Sequence, residues 1–274
     1  MGIKKYGTST PGRRWGNCLT FEEITKTRPE KSLTEPIRKT GGRNNYGRKT
    51  VTAMGGGHKQ RYRIIDFKYS KKGLNAVVEA IEYDPNRSAN ISLMRNADGA
   101  KTYMIAPDGL VVGSTIECGP GAGIEVGNSM PLRDIPLGTF VYCVEMEPGK
   151  GAKIARSAGM SAIVAAKDAG MIHLRMPSGE IRLVRDGCYA SIGRVGNLDH
   201  ENVVIGKAGR AIHMGIRPKS RAVVKNPVDH PMGGGEGKSS GGRHPCTPWG
   251  KITRGLKTRN RKKASSKMIL KRRK

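Results

Sequence analysis

After Glu236 the chain has no acidic residue, although 14 lysines and arginines follow it. Surfaces kept soluble by mixed charge intersperse both signs, so a generic exterior is excluded at the carboxyl end. Paired cysteines are missing as well. Cys18, Cys118, Cys143, Cys188 and Cys246 stand singly with no C-x-x-C spacing, which argues against a disulfide framework and against structural zinc. They read as small buried hydrophobes in a reducing compartment. No apolar run is long enough to span a bilayer, and residues 1–10 lack the apolar segment of a signal peptide. The expectation is a cytoplasmic protein with no membrane partner. Aromatic residues make up only 5% of the chain and form no RNP-type run, which excludes reading splayed single strands mainly by stacking.

Positive charge is what the chain has in excess: 50 Lys and Arg stand against 22 Asp and Glu, a formal net charge of +28. Self-repulsion of that size disfavours a compact isolated protein and calls for a polyanion. The charge is unevenly placed. Residues 1–63 hold 15 basic and 4 acidic side chains, residues 64–200 hold 15 and 15, residues 201–250 hold 8 and 3, and residues 251–274 hold 12 and none. A neutral body with basic ends is the pattern of proteins that thread into nucleic acid.

The order of motifs divides the chain into four parts. Residues 1–57 are polar and aliphatic-poor and read as a basic extension, with Tyr6, Trp15 and Tyr46 placed either to stack on bases or to pack on the body. Over 58–125 the runs RYRIIDF, AVVEAIEY, ANISLM, KTYMIA and STIEC alternate with turn signals, which predicts a small five-stranded barrel of the oligonucleotide-binding type. Over 126–200, TFVYCVEME, SAIVAAKD, MIHLRM, EIRLVRD and CYASIGRV predict a second, SH3-like barrel. Residues 201–274 form a carboxyl extension in which AGRAIHMG suggests one short helix, and the acid-free tail from residue 251 is long enough to follow an RNA groove. The fold class expected is therefore mainly β, two small barrels with long irregular basic extensions.

Within the last part, residues 226–250 contain four prolines and seven glycines, so neither a helix interior nor a central strand fits. A functional loop shaped by an outside partner is expected. Residues 233–239 resemble the end of a phosphate-binding G-x-x-x-x-G-K-[ST] loop, but Met232 occupies the first glycine position and no flanking strand and helix are expected. Asp229, His230 and a nearby serine invite a hydrolytic triad, yet neighbours in an extended segment point apart. His230, His244 and Cys246 are too few and too scattered for a metal site, and no metal or cofactor is expected. The glycines at 55–57 and 233–235 have a simpler use, close backbone approach to phosphate or base. If six to ten phosphates are neutralised, affinity should fall by about a thousandfold or more between roughly 50 and 200 mM salt.

The run NPVDHPMGGGEG with TPWG downstream, together with GGGHKQRYRIIDF, EYDPNRSANI, PGKGAKIARSAG and the early TSTPGRR and GGRNN, resembles universal large-subunit ribosomal protein two in its bacterial form. The resemblance covers nearly the whole chain, with several long motifs in one order. It implies a non-catalytic, primary binder of large-subunit rRNA, built of an oligonucleotide-binding-type barrel, an SH3-like barrel and rRNA-embedded extensions. It further implies support of assembly, contact with small-subunit rRNA at the subunit interface, and neighbouring ribosomal proteins as partners; no homo-oligomer is expected.

By the same resemblance, Arg87 of the D-P-N-R run and Arg156 of the A-R-S-A-G run are the leading rRNA contacts. His58, Lys59, Arg61, Arg217, Arg221, His230, Lys238, Arg243 and Trp249 are further candidates, and Asp229 and His230 fall in a segment directed toward the peptidyl-transferase region. Many members of that family have a second histidine where this chain has Met232, which disfavours a mechanism needing two imidazoles. Two other readings compete: a nucleic-acid-acting hydrolase using Asp229 and His230, and a nonspecific basic architectural protein.

Overall fold

The computed structural model describes residues 2–69, 73, 75–260 and 262–273, and these are mainly β with few helices. Two compact units emerge, one from Met1–Arg38, Lys59–Lys207 and Ala264–Lys274, the other from Lys39–His58 and Ala208–Lys263.

In the larger unit, strands β1 (Ile3–Lys5) and β2 (Asn17–Leu19) pair across α1 (Pro11–Arg14), where proline at the first turn loses no intrahelical hydrogen bond. Next, β3 (Thr34–Pro36) pairs with β4 (Arg61–Arg63). The amino-terminal stretch is tied to the body, since the Glu30 amide donates to Tyr103 Oη at 2.8 Å and Thr25 exchanges hydrogen bonds with Ile81.

A four-stranded antiparallel sheet follows, from β5 (Asn75–Glu82), β6 (Ile91–Asn96), β7 (Lys101–Ile105) and β8 (Thr115–Glu117) in the order β7-β6-β5-β8. The inner strand β6 is apolar on both faces because both are covered. Ile91 and Leu93 pack with Ile65, Ala80 and Tyr103, whereas Met94 packs with Ala76, Val78 and Ile116. Among the described residues the ladder is open, and the expected closed five-stranded barrel is not seen. RYRIIDF is not one strand: after Arg63 the Phe67 amide turns back to Ile65 O at 3.1 Å, and Ile65 makes a single parallel bridge to Tyr103. That tight three-residue turn diverts the chain before a fifth strand can pair.

The second sheet has seven strands. Its members are β9 (Ser129–Pro131), β10 (Phe140–Tyr142), β13 (Ala162–Asp168), β14 (Met171–Arg175), β15 (Ile181–Arg185), β16 (Tyr189–Ile192) and β17 (Ile269–Lys271). Between them, β11 (Val144–Glu145) and β12 (Ala152–Ile154) form a separate pair. This ladder is also open, not the closed SH3-like barrel expected. TFVYCVEME breaks at Cys143, whose φ of +48° swings the chain from the large sheet into the small one. Ala169 and Gly170 form the two-residue turn between β13 and β14 with φ of +38° and +78°, a conformation that suits glycine and that alanine adopts only at a steric cost. Val141, Val164, Leu174, Ala190 and Ile192 lie in the core under this sheet, and Tyr69, Ile105, Tyr142 and Tyr189 form a further cluster joining the two sheets.

The carboxyl tail departs from expectation. Rather than extending throughout, it returns as β17 on the edge of β15, with the Leu183 amide donating to Met268 O at 2.8 Å.

The smaller unit has little regular structure. It holds α2 (Ala208–His213), as AGRAIH suggests, and a backbone pairing in which Gly55 donates to Gly215 O at 2.7 Å and His58 to His213 O at 2.8 Å. Gly57 is glycine for internal reasons: at φ +60° an added Cβ would lie 2.8 Å from Gly215 N.

Candidate nucleic-acid interface

Two basic turns meet on one aromatic ring. The first leaves β5 as D-P-N-R, a turn in which a short carboxylate binds its own backbone two residues on. Asp84, fully buried, accepts the Asn86 amide and side-chain amide at 2.9 Å each through Oδ1 and Arg87 Nε at 2.5 Å through Oδ2. Asn86 Nδ2 also donates to Arg61 O at 2.6 Å, and Gln60 Nε2 to Pro85 O at 3.0 Å. The second turn is A-R-S-A-G, whose Ala158 amide donates to Ser88 Oγ at 3.0 Å. Asn197 supports the first turn, donating Nδ2 to Ser88 O at 2.6 Å from a left-handed conformation, φ +58°, which asparagine tolerates better than most residues.

The consequence is a shared platform. Arg87 Cζ lies 5.7 Å and Arg156 Cζ 4.6 Å from the Phe67 ring centroid, with Tyr62 also 5.9 Å from Arg87. Both guanidiniums are within cation–π range of Phe67. Arg156 is exposed and donates one Nη1 bond to Ala152 O at 3.3 Å, leaving most of its donor fork available. Nearby, burial pushes the Cys143 thiol up to about 12 despite the downward pull of Arg156 and Arg87.

The other sequence candidates are distributed over both units. Arg61 lies exposed in β4, its Nη1 3.4 Å from Thr34 Oγ1, and Lys59 is exposed just before it. In the smaller unit His58 and Arg217 lie at opposite ends of the 53–58 and 213–217 pairing, His58 donating its amide to His213 O at 2.8 Å and Arg217 its amide to Ala53 O at 3.0 Å. Arg221, Lys238 and Arg243 are exposed. Trp249, 83% exposed, sits at the tip of a turn closed by Thr247 N to Lys251 O at 2.8 Å. Trp15 and Tyr46 are exposed rather than packed on the body.

Loop 226–250 has internal structure of its own. The Asp229 and His230 amides both donate to Asn226 O, and Gly233 packs so tightly that a Cβ would fall 2.4 Å from Lys225 O. Its glycine is required by its own chain. His230 is buried at 5% exposure and accepts the Met232 amide on Nδ1 at 3.1 Å. A backbone N–H only donates, so neutral His230 carries its proton on Nε2. A triad needs the opposite tautomer, Nδ1–H to the carboxylate and Nε2 free to take a proton. Met232 has a packing role too, its Sδ accepting the Cys246 amide at 3.5 Å.

Sequence reasoning singled out Arg87 and Arg156 but not Phe67, Asp84, Ser88 or Asn197. The D-P-N spacing was the available signal for Asp84, as an acid whose short side chain caps the turn it starts.

The fold is β-rich and carries two basic turns on one face. Residues 30–118 match the family model Ribosomal Proteins L2, RNA binding N-terminal domain, and residues 125–250 match Ribosomal Proteins L2, C-terminal domain. The chain belongs to the ribosomal protein L2 family, structural constituents of the large ribosomal subunit in the cytoplasm that bind rRNA and take part in translation.

Proposed function

We propose that this chain is a primary rRNA binder that supports large-subunit assembly, joins the subunits through small-subunit rRNA and organises the peptidyl-transferase region without catalysing the reaction. The observation that supports it best is the Arg87–Phe67–Arg156 arrangement. Two guanidiniums facing one aromatic ring, Arg87 also bound to the fully buried Asp84 carboxylate, are preorganised donors for phosphate or a base edge. Lys59 and Arg61 extend this face. His58, Arg217, Arg221, Lys238, Arg243 and Trp249 serve as further rRNA contacts, and Asp229 and His230 position RNA near the peptidyl-transferase region. The functional division is a basic extension over 1–57, an oligonucleotide-binding-type domain over 58–125, an SH3-like domain over 126–200 and a carboxyl extension over 201–274. The chain acts as a single copy.

The test is sedimentation of tagged chain from lysate after subunits are separated in low magnesium and washed in high salt. Co-migration with the large subunit alone is expected, and Arg156→Glu should wash off at lower salt. A chain that stays at the top of the gradient, or leaves both subunits equally, would overturn this reading.

A further inference from the structure

Between Lys101 and Arg133 lie 31 residues without a lysine or arginine, in a chain where those types fill 50 of 274 positions. The same stretch carries Asp108, Glu117 and Glu125. It is folded against the large sheet rather than hanging free. Val126 rests on Gly193, where an added Cβ would come within 3.1 Å of Val126 Cγ1, and the Gly193 amide donates to Phe140 O at 2.8 Å. Asp108 is fixed beside them, its amide donating to Arg194 O at 2.8 Å. Arg194 turns its own Nε to Gly159 O at 2.8 Å. From the amino-terminal stretch, half-buried Glu23 accepts Asn90 Nδ2 at 3.3 Å, and Asn90 O in turn accepts the amide of Ala106, two residues before Asp108. Ile124, Val126 and Phe140 remain 60%, 50% and 52% exposed.

We propose that the face built from Ile124, Val126 and Phe140, with Glu23, Asp108 and Glu125 at its rim, docks a protein segment that presents lysine or arginine beside apolar side chains. The proposal rests on the ribosomal reading and specifies where a protein neighbour sits. RNA is the wrong occupant: its phosphates would meet carboxylates, with no lysine or arginine on residues 102–132 to neutralise them. A basic protein segment satisfies both features, since its cations complement the acidic rim and its apolar side chains cover exposed Val126 and Phe140.

The test uses the full chain with a benzophenone amino acid at position 126, or at Val228, which is 91% exposed, for comparison. Large subunits carrying either chain are isolated through the high-salt wash and irradiated. A position-126 adduct that survives nuclease, and whose mass spectrum contains a Lys- or Arg-bearing peptide, is the expected result. An RNA adduct at 126, or none, overturns the proposal and leaves the ribosomal reading intact. If even the parent chain is missing from large subunits, the ribosomal reading fails and takes this one with it. Adding Glu125→Lys and Asp108→Lys should reduce the protein adduct about tenfold with unchanged salt resistance. A gain in salt resistance, as new cations on an RNA face would give, counts against it.

Discussion

Arg156 stacks its guanidinium 4.6 Å from the centroid of Phe67, a residue 89 positions earlier in the chain. On the proposed reading Phe67 orients and Arg156 binds, so the two should fail differently. Arg156→Gln is expected to reduce the dependence of log K on log salt by about one unit, because one phosphate contact is lost. Phe67→Leu should weaken rRNA binding by only about two- to fivefold, the equivalent of a single exposed cation–π contact, with the salt slope unchanged. Filter binding across a salt series separates the cases, and a slope change for Phe67→Leu would contradict this assignment.

Asp84 holds Arg87 from a fully buried position at 2.5 Å. Asp84→Ala strands the Arg87 guanidinium and the Asn86 amide, and should destabilise the fold by about 3–5 kcal/mol, as expected when one partner of a buried ion pair is removed. Chemical denaturation measures this. For the same reason Arg87→Glu confounds folding with any loss of binding, whereas exposed Arg156, with no ion pair to a buried carboxylate among the described residues, is the cleaner test of the proposed contact.

Tyr103, fully buried, donates to Glu82 Oε2 at 2.6 Å while its oxygen accepts the Glu30 amide. Lys26 Nζ lies 3.5 Å from the other Glu82 oxygen. Tyr103→Phe keeps the packing and removes the hydroxyl, so a loss of about 1–3 kcal/mol is expected from unsatisfied buried groups. A denaturation midpoint identical to that of the parent would show the hydrogen bond to contribute nothing.

The Glu23 carboxyl is held above its ordinary range by burial, against the Asn90 hydrogen bond at 3.3 Å, with Asp108 and Glu22 adding to the rise. A carboxyl whose folded pKa exceeds its unfolded value binds more protons when folded, so its ionisation costs stability above the folded pKa. That cost vanishes as pH falls below the unfolded value of about 4.3. Glu23→Gln should therefore raise Tm at pH 7 and give no gain near pH ~3.5. An equal gain at both pH values would point to packing instead.

Burial raises the Cys143 and Cys188 thiols to about 12, and both side chains are shielded. At pH ~8 their thiolate fraction is on the order of 10⁻⁴, so alkylation of the native protein should spare them. Mass spectrometry should find them modified only after denaturant is added, while Cys18, Cys118 and Cys246, each partly exposed, react first.

Much of the strand content was legible because local chemistry specifies it. The runs AVVEAIEY and KTYMIA coincide with β5 and β7. Cys143 marks the limit of such reading. Nothing in TFVYCVEME signals a left-handed residue at its centre, since strand propensity reports side-chain fit to a pleated surface and not the path a chain must take between two sheets. Phe67 was likewise passed over as one more apolar residue in RYRIIDF.

From sequence alone, the mainly β class, the polyanion partner, the family, and Arg87 and Arg156 as basic residues in turns were determined. Each follows from composition, from short-range pattern or from long motifs in order. Tertiary structure alone decided that those two arginines share Phe67, that Asp84 holds Arg87 while Asn197 donates to Ser88 O, that the strand ladders of the described residues are open, and that β17 returns to β15. These are contacts between positions remote in the chain, and local preferences of the backbone carry no record of which remote partner closure will bring.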